Sequence, residues 1–166
     1  KNRQPYLIPY DGDANYPTQT GFNLTELFGE LAQLNVRSVT VFIDACFSGG
    51  ARDQKTILAD ARPLALAIES PVLTSGKLVV FTASSGQEIS SGYPEKQHGL
   101  FTYFLLKGLR GESDQNKDGQ ITVAELEKYL METVTKTAGL LDREQTPQVW
   151  GRDKGRVITK FGKPSK

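Results

Sequence analysis

The sequence predicts an α/β domain with a mainly parallel central sheet flanked by helices, and three observations carry that prediction. Two β-branched apolar runs, residues 38–43 and 77–83, have the length and composition of buried core strands. Segments with helical apolar spacing, residues 23–34, 99–109 and 123–136, alternate with them. Each strand run also stops abruptly at a short polar, glycine-containing stretch, the place where parallel sheets carry their reactive groups.

The elements follow in order. Tyr6-Leu7-Ile8-Pro9-Tyr10 reads as a short strand, and Pro9 pushes it to an edge or a strand end. Asp11-Gly12-Asp13 and Pro17 then form a polar loop. Asn23 with Glu26 is a capping-box pattern, and Leu24, Leu27, Phe28, Leu31 and Leu34 line one face of the helix behind it. Residues 38–43 are expected to be a buried strand ending at Asp44-Ala45-Cys46, with Gly49-Gly50 breaking the backbone. Residues 51–76 have mixed charge and no long period, which predicts a mobile loop with at most one short helix. After the strand at 77–83 comes a polar loop at 84–97, two helices, and a tail with a strand-like Val157-Ile158-Thr159.

The chain has 166 residues, enough for one domain with a real core. At 38% hydrophobic and 23% charged it has ordinary globular composition. A net charge of +1 gives no electrostatic footprint for nucleic acid or an anionic membrane, so neither is expected as a partner. No apolar run approaches the roughly 20 residues needed to span a bilayer. One cysteine excludes an intrachain disulfide, and no Cys/His cluster suits a structural zinc. We expect a single unit over 1–166: a nucleophile-bearing part at 1–50, a processing loop at 51–76 and a second part at 77–160.

A lone cysteine is most often a small buried hydrophobe. Cys46 has a different setting, at the end of a predicted strand with Ser48, Gly49 and Gly50 after it. A tight turn there would expose the thiol and free its backbone N–H to donate to an oxyanion. Nucleophilic catalysis needs that access and a base to form the thiolate.

Here a family resemblance enters. Asp44-Ala45-Cys46-Phe47-Ser48-Gly49 resembles the nucleophile motif of the caspase-like cysteine peptidases, in the branch of metacaspases and bacterial orthocaspases. Tyr6-Leu7-Ile8-Pro9-Tyr10-Asp11, Phe81-Thr82-Ala83-Ser84-Ser85-Gly86-Gln87-Glu88, His98-Gly99-Leu100-Phe101-Thr102 and Gln145-Thr146-Pro147-Gln148 are similar to further family segments in the same order. The likeness spans residues 6–151 and implies the C-terminal part of a caspase-like catalytic domain whose N-terminal strands lie upstream. It implies Cys46 as nucleophile and an upstream histidine as base. The chain's one histidine, His98, follows the nucleophile and stands where the family begins a helix. The expected partners are a peptide or protein substrate and the N-terminal remainder of the same domain.

The resemblance also bears on specificity. Caspases proper use arginines in the pocket, one of them in the loop matching 84–97; this chain has only Lys96 there. Metacaspases use acidic residues, including the position of Asp44, and a carboxylate there would complement Arg or Lys. Cleavage after basic residues is therefore expected, with Asp44, Ser84, Ser85 and Glu88 binding substrate and Arg52, Lys55 and Arg62 open to self-processing. The plainer reading of Asp44 is a cap that orders the turn.

The chemistry itself requires no cofactor, but one loop is a calcium candidate. Asp114, Asn116, Asp118, Gly119, Gln120, Ile121, Thr122 and Glu125 fall on the positions an EF-hand loop prescribes. Asp114, Asn116, Asp118, Gln120 and Glu125 would hold Ca2+. The competing reading is an Asx-rich turn followed by a Thr122/Glu125 capping box. A second calcium site known in some metacaspases would use Asp11 and Asp53, but Asn23-Leu24 replaces its paired Asp. The functional readings are thus a basic-specific endopeptidase, an inactive caspase-like scaffold, and a calcium-binding regulatory domain.

Overall fold

The computed structural model describes residues 5–45, 76–85, 88 and 90–161. Cys46, the turn after it and the processing loop with Arg52, Asp53, Lys55 and Arg62 lie outside these residues.

Strand β1 (Tyr6–Leu7) stops before Pro9 and pairs antiparallel with β2 (Phe22–Asn23) across the short helix α1 (Pro17–Thr20). Helix α2 (Leu24–Gln33) starts where Asn23 Oδ1 accepts the N–H groups of Thr25 at 2.9 Å and Glu26 at 3.3 Å. Two of its orphan donors are thereby satisfied. Its far end carries no basic residue of its own; Lys77 Nζ arrives instead and donates to Ala32 O and Leu34 O.

Strand β3 (Val39–Ile43) runs parallel to β4 (Leu78–Thr82), with Val39 opposite Leu78 and Ile43 opposite Thr82. Strand β8 (Gln148–Trp150) pairs antiparallel on the other side of β4, so among the described strands the sheet is mixed. β4 is central and buried throughout. β3 corrects the expectation of a buried strand: it is the edge of the described sheet, and only Ile43 is buried.

The pleat of β4 sends alternate side chains to opposite faces, and each face meets helices. Leu78 and Val80 pack with Leu24 and Phe28 of α2. Val79 and Phe81 pack with Leu100, Phe101 and Leu105 of α3 (Leu100–Lys107) and with Leu126, Leu130 and Val134 of α4 (Val123–Leu140). Phe81 is fully buried, a contribution of about 1.5–3 kcal/mol for a side chain of that type. Helix α4 runs four residues past the expected Lys136, because Ala138 continues the buried stripe of Val134. None of the described helices is long and apolar enough to cross a membrane.

The loop after β4 is more ordered than its composition suggests. It contains β5 (Gly92–Tyr93) and β6 (His98–Gly99), a small antiparallel hairpin that delivers the chain to α3. After α3, β7 (Gln120–Thr122) pairs with β9 (Val157–Lys160), which fixes the start of α4. Arg156 spans the beginnings of the two parallel strands, donating to Lys77 O at 2.8 Å and Val39 O at 3.3 Å.

Candidate active site

The parallel register of β3 and β4 brings their carboxyl ends together, and the N–H of Ala83 donates to Ile43 O at 2.9 Å just beyond the last pair. Asp44 and Ala45 therefore leave the sheet beside Ala83 and Ser84. This is the end of a parallel pair at which open α/β sheets place ligands. Cys46 is the next residue after Ala45 in the chain.

Asp44 is exposed, yet both of its carboxylate oxygens are held. Ser90 Oγ donates to Oδ1, and Thr102 Oγ1 donates to Oδ2 at 2.5 Å. Thr102 sits in the first turn of α3, whose cap residue, Gly99, has no side chain to offer. The Asp44 carboxylate lies against that residue: a Cβ on Gly99 would run into Asp44 Oδ2. An anion at a helix N-terminus is also favoured by the helix dipole. Three elements distant in sequence thus converge on one negative charge, and both hydroxyl donors are neutral.

The other three expected substrate-binding residues have a different character. Ser84 is fully buried, and its hydroxyl donates to Glu88 O at 3.2 Å. The N–H of Ser85 donates to Glu88 Oε2 at 3.1 Å. Glu88 Oε2 also takes the N–H of Thr146 at 2.6 Å, and Oε1 takes its hydroxyl at 3.0 Å. The Glu88 carboxylate therefore fastens its own loop to the segment entering β8. Gln145 does the same deeper down: only 1% exposed, it donates to Ala83 O at 3.0 Å and accepts the Ser91 N–H at 2.8 Å. Both ends of the loop between Ala83 and Ser91 are tied by that one side chain.

Ser90, Gly99, Thr102 and Gln145 are residues for which the sequence offered no assigned role. Three of them lie in segments already singled out by resemblance, but nothing in their spacing says that Thr102 faces Asp44. His98 is exposed, pairs through β6 with Tyr93, and is the immediate neighbour of Gly99. A cavity of about 480 Å³ lined by Arg37, Asp153, Arg156 and Lys160 lies at the opposite end of β3 from Asp44.

In the calcium-candidate loop, Gly119 adopts φ +80°, a left-handed conformation that glycine takes without strain. Asp114 accepts from the N–H groups of Asp118 at 3.2 Å and Gly119 at 3.0 Å. Asp118 accepts from Asn116 Nδ2 at 3.1 Å and from the Gln120 N–H at 2.8 Å. Glu125 completes a capping box with Thr122 through Oε2. Its other oxygen, Oε1, is buried without a hydrogen-bond partner. Burial pushes the Glu125 carboxyl up, but the Thr122 N–H and hydroxyl, with the nearby amides of Asn116 and Gln115, outweigh it and hold the group below its ordinary value. Among the described residues, no three of His, Cys, Asp and Glu gather closely enough to hold a metal.

Comparison with known proteins agrees with the geometry at the level of family. No curated protein is similar enough to the chain to count as a match. The family model of the caspase domain, peptidase C14, matches residues 1–155, nearly the whole chain. A chain so matched, with helices on both faces of its sheet and a cysteine following a strand end, belongs to the caspase-domain family of cysteine peptidases.

Proposed function

We propose that this domain is a cysteine endopeptidase that cuts after Arg or Lys, with Cys46 as nucleophile and Asp44 as the group that recognises the basic side chain. The observation that carries this reading is the Asp44 carboxylate: exposed, hydrogen-bonded by two neutral hydroxyls, and two residues from Cys46. A carboxylate so placed attracts a guanidinium or ammonium and repels an acidic side chain.

The chemistry follows from the thiol. A histidine N-terminal to Lys1 takes the Cys46 proton, and the thiolate attacks the scissile carbonyl carbon. The oxyanion is stabilised by backbone N–H donors. The tetrahedral species collapses to a thioester as the histidine returns the proton to the leaving amine, and water then hydrolyses the thioester. Ser84, Ser85 and Glu88 shape the loop that flanks the substrate. The partners of this chain are then its peptide or protein substrate and the remainder of its own catalytic domain. The test is hydrolysis of fluorogenic peptides by the full-length protein. Arg and Lys peptides should be cleaved and Asp peptides not, with the preference lost in Asp44→Asn. An unchanged preference in that variant removes Asp44 from the pocket.

A second reading, a domain that also binds calcium through Asp114, Asn116, Asp118, Gln120 and Glu125, is favoured by one observation, the orphaned Glu125 Oε1. The all-oxygen donor set suits Ca2+, but binding would require the loop to draw Asp114, Asp118 and Glu125 together, with Glu125 supplying both oxygens by leaving Thr122. Calcium would then act on the stability of the fold rather than on the thiol chemistry. Added Ca2+ should raise the melting temperature of the protein and leave Glu125→Gln unmoved. Equal melting curves with and without the ion would leave the loop as a hydrogen-bonded turn.

A further inference from the structure

We infer that Thr102 is a positioning residue for substrate recognition, holding Asp44 in the orientation that distinguishes a guanidinium from its uncharged isostere. The inference rests on the proposed reading of Asp44 as the recognition group and adds the residues that make it selective.

A solvent-exposed aspartate ordinarily moves among rotamers, and fixing a side chain on binding costs free energy. Here the cost is met in advance. Thr102 Oγ1 holds Oδ2 at 2.5 Å, Ser90 Oγ holds Oδ1, and Gly99 lies against the carboxylate from the third side. Thr102 suits this task better than a flexible donor would. Its β-branch restricts χ1 in a helix, and the first turn of α3 is anchored by the Leu100 N–H donating to Ser91 O at 2.8 Å. Each carboxylate oxygen accepts from one of these hydroxyls, and a carboxylate has about four lone-pair sites in all. Capacity remains on both oxygens for the two N–H groups of a guanidinium fork. Because the donors are hydroxyls, the negative charge is presented rather than cancelled.

The experiment measures binding without turnover, in the full-length protein carrying Cys46→Ala. Calorimetric affinities are compared for three peptides with arginine, citrulline or lysine before the scissile bond. The parent should bind the arginine peptide more tightly than the citrulline peptide, and Asp44→Asn should abolish the difference. Thr102→Val should cut the arginine-over-citrulline ratio by roughly tenfold, and Thr102→Ser, which keeps the hydroxyl but not the β-branch, should restore most of it. Ser90→Ala is a second, independent removal of a donor and should act in the same direction. A purely architectural Thr102 would lower the melting temperature in Thr102→Val without moving the ratio, and that result overturns the inference. If Asp44→Asn removes discrimination but both Thr102→Val and Ser90→Ala keep it, the inference fails and the reading of Asp44 stands. If the parent itself does not discriminate, both fall together.

Discussion

Thr146 gives both its N–H, at 2.6 Å, and its hydroxyl, at 3.0 Å, to the carboxylate of Glu88. This pair joins the loop behind β4 to the segment entering β8, and with the Ser85 N–H it satisfies the carboxylate three times over. Hydrogen bonds to a charged group are worth about 1.5–3 kcal/mol each. Glu88→Gln should therefore destabilise the fold by about 1–3 kcal/mol in chemical denaturation. If Glu88 instead contacts substrate directly, the variant will keep its stability and change its ratio of Arg to Lys cleavage.

Gln145 carries the deeper fastening. Replacing it with Leu conserves volume but strands the Ala83 carbonyl and the Ser91 N–H in the interior. Each unsatisfied buried group costs about 1–3 kcal/mol, so Gln145→Leu should lose about 2–6 kcal/mol and raise hydrogen exchange at Ser91. A stability within about 0.5 kcal/mol of the parent would show that the buried amide is dispensable.

Gly99 has φ −64° and ψ 145°, an extended conformation open to any residue. Its restriction comes from the Asp44 carboxylate that leans on its Cα. Gly99→Ala should displace Asp44 and weaken cleavage of basic peptides, whereas Gly92→Ala, where an added Cβ meets nothing within 4 Å, should be neutral. Equal activity of the two variants would mean that Asp44 can move without consequence.

Glu125 gives a pH dependence whose sign is fixed. Its folded carboxyl is held below the ordinary value, chiefly by Thr122 acting against the upward push of burial. The unfolded chain takes the proton first as pH falls, from about 4.3 for a free glutamate. The stabilisation is thus full above that pH and is lost as pH drops toward the lowered folded value. Urea midpoints should fall over this acidic range in the parent and fall less in Glu125→Gln. Parallel slopes would remove Glu125 from the titration.

Much of the fold was legible in the residues, and the exceptions have physical causes. Apolar spacing gave α2, α3 and α4, and the β-branched runs gave β3 and β4, because burial on a periodic face is written locally. Periodicity could not say that β3 forms the edge of the described sheet, since exposure of Val39 to Phe42 depends on which strand lies beside it. The β5–β6 hairpin escaped notice because its strands are two residues each and are held by Gln145, more than forty residues away. At the site, Asp44 was singled out by the resemblance of its motif to that of metacaspases. Its partners Ser90 and Thr102, 46 and 58 residues away, carry no local mark of that contact.

The most direct test of the central claim is to expose the full-length protein to two peptidyl chloromethyl ketones, one ending in Arg and one in Asp, and locate the adduct by peptide mass spectrometry. The account predicts a single adduct on Cys46, formed with the Arg reagent and lost in Asp44→Asn. Labelling elsewhere in the chain, or equal labelling of Cys46 by both reagents, would contradict it.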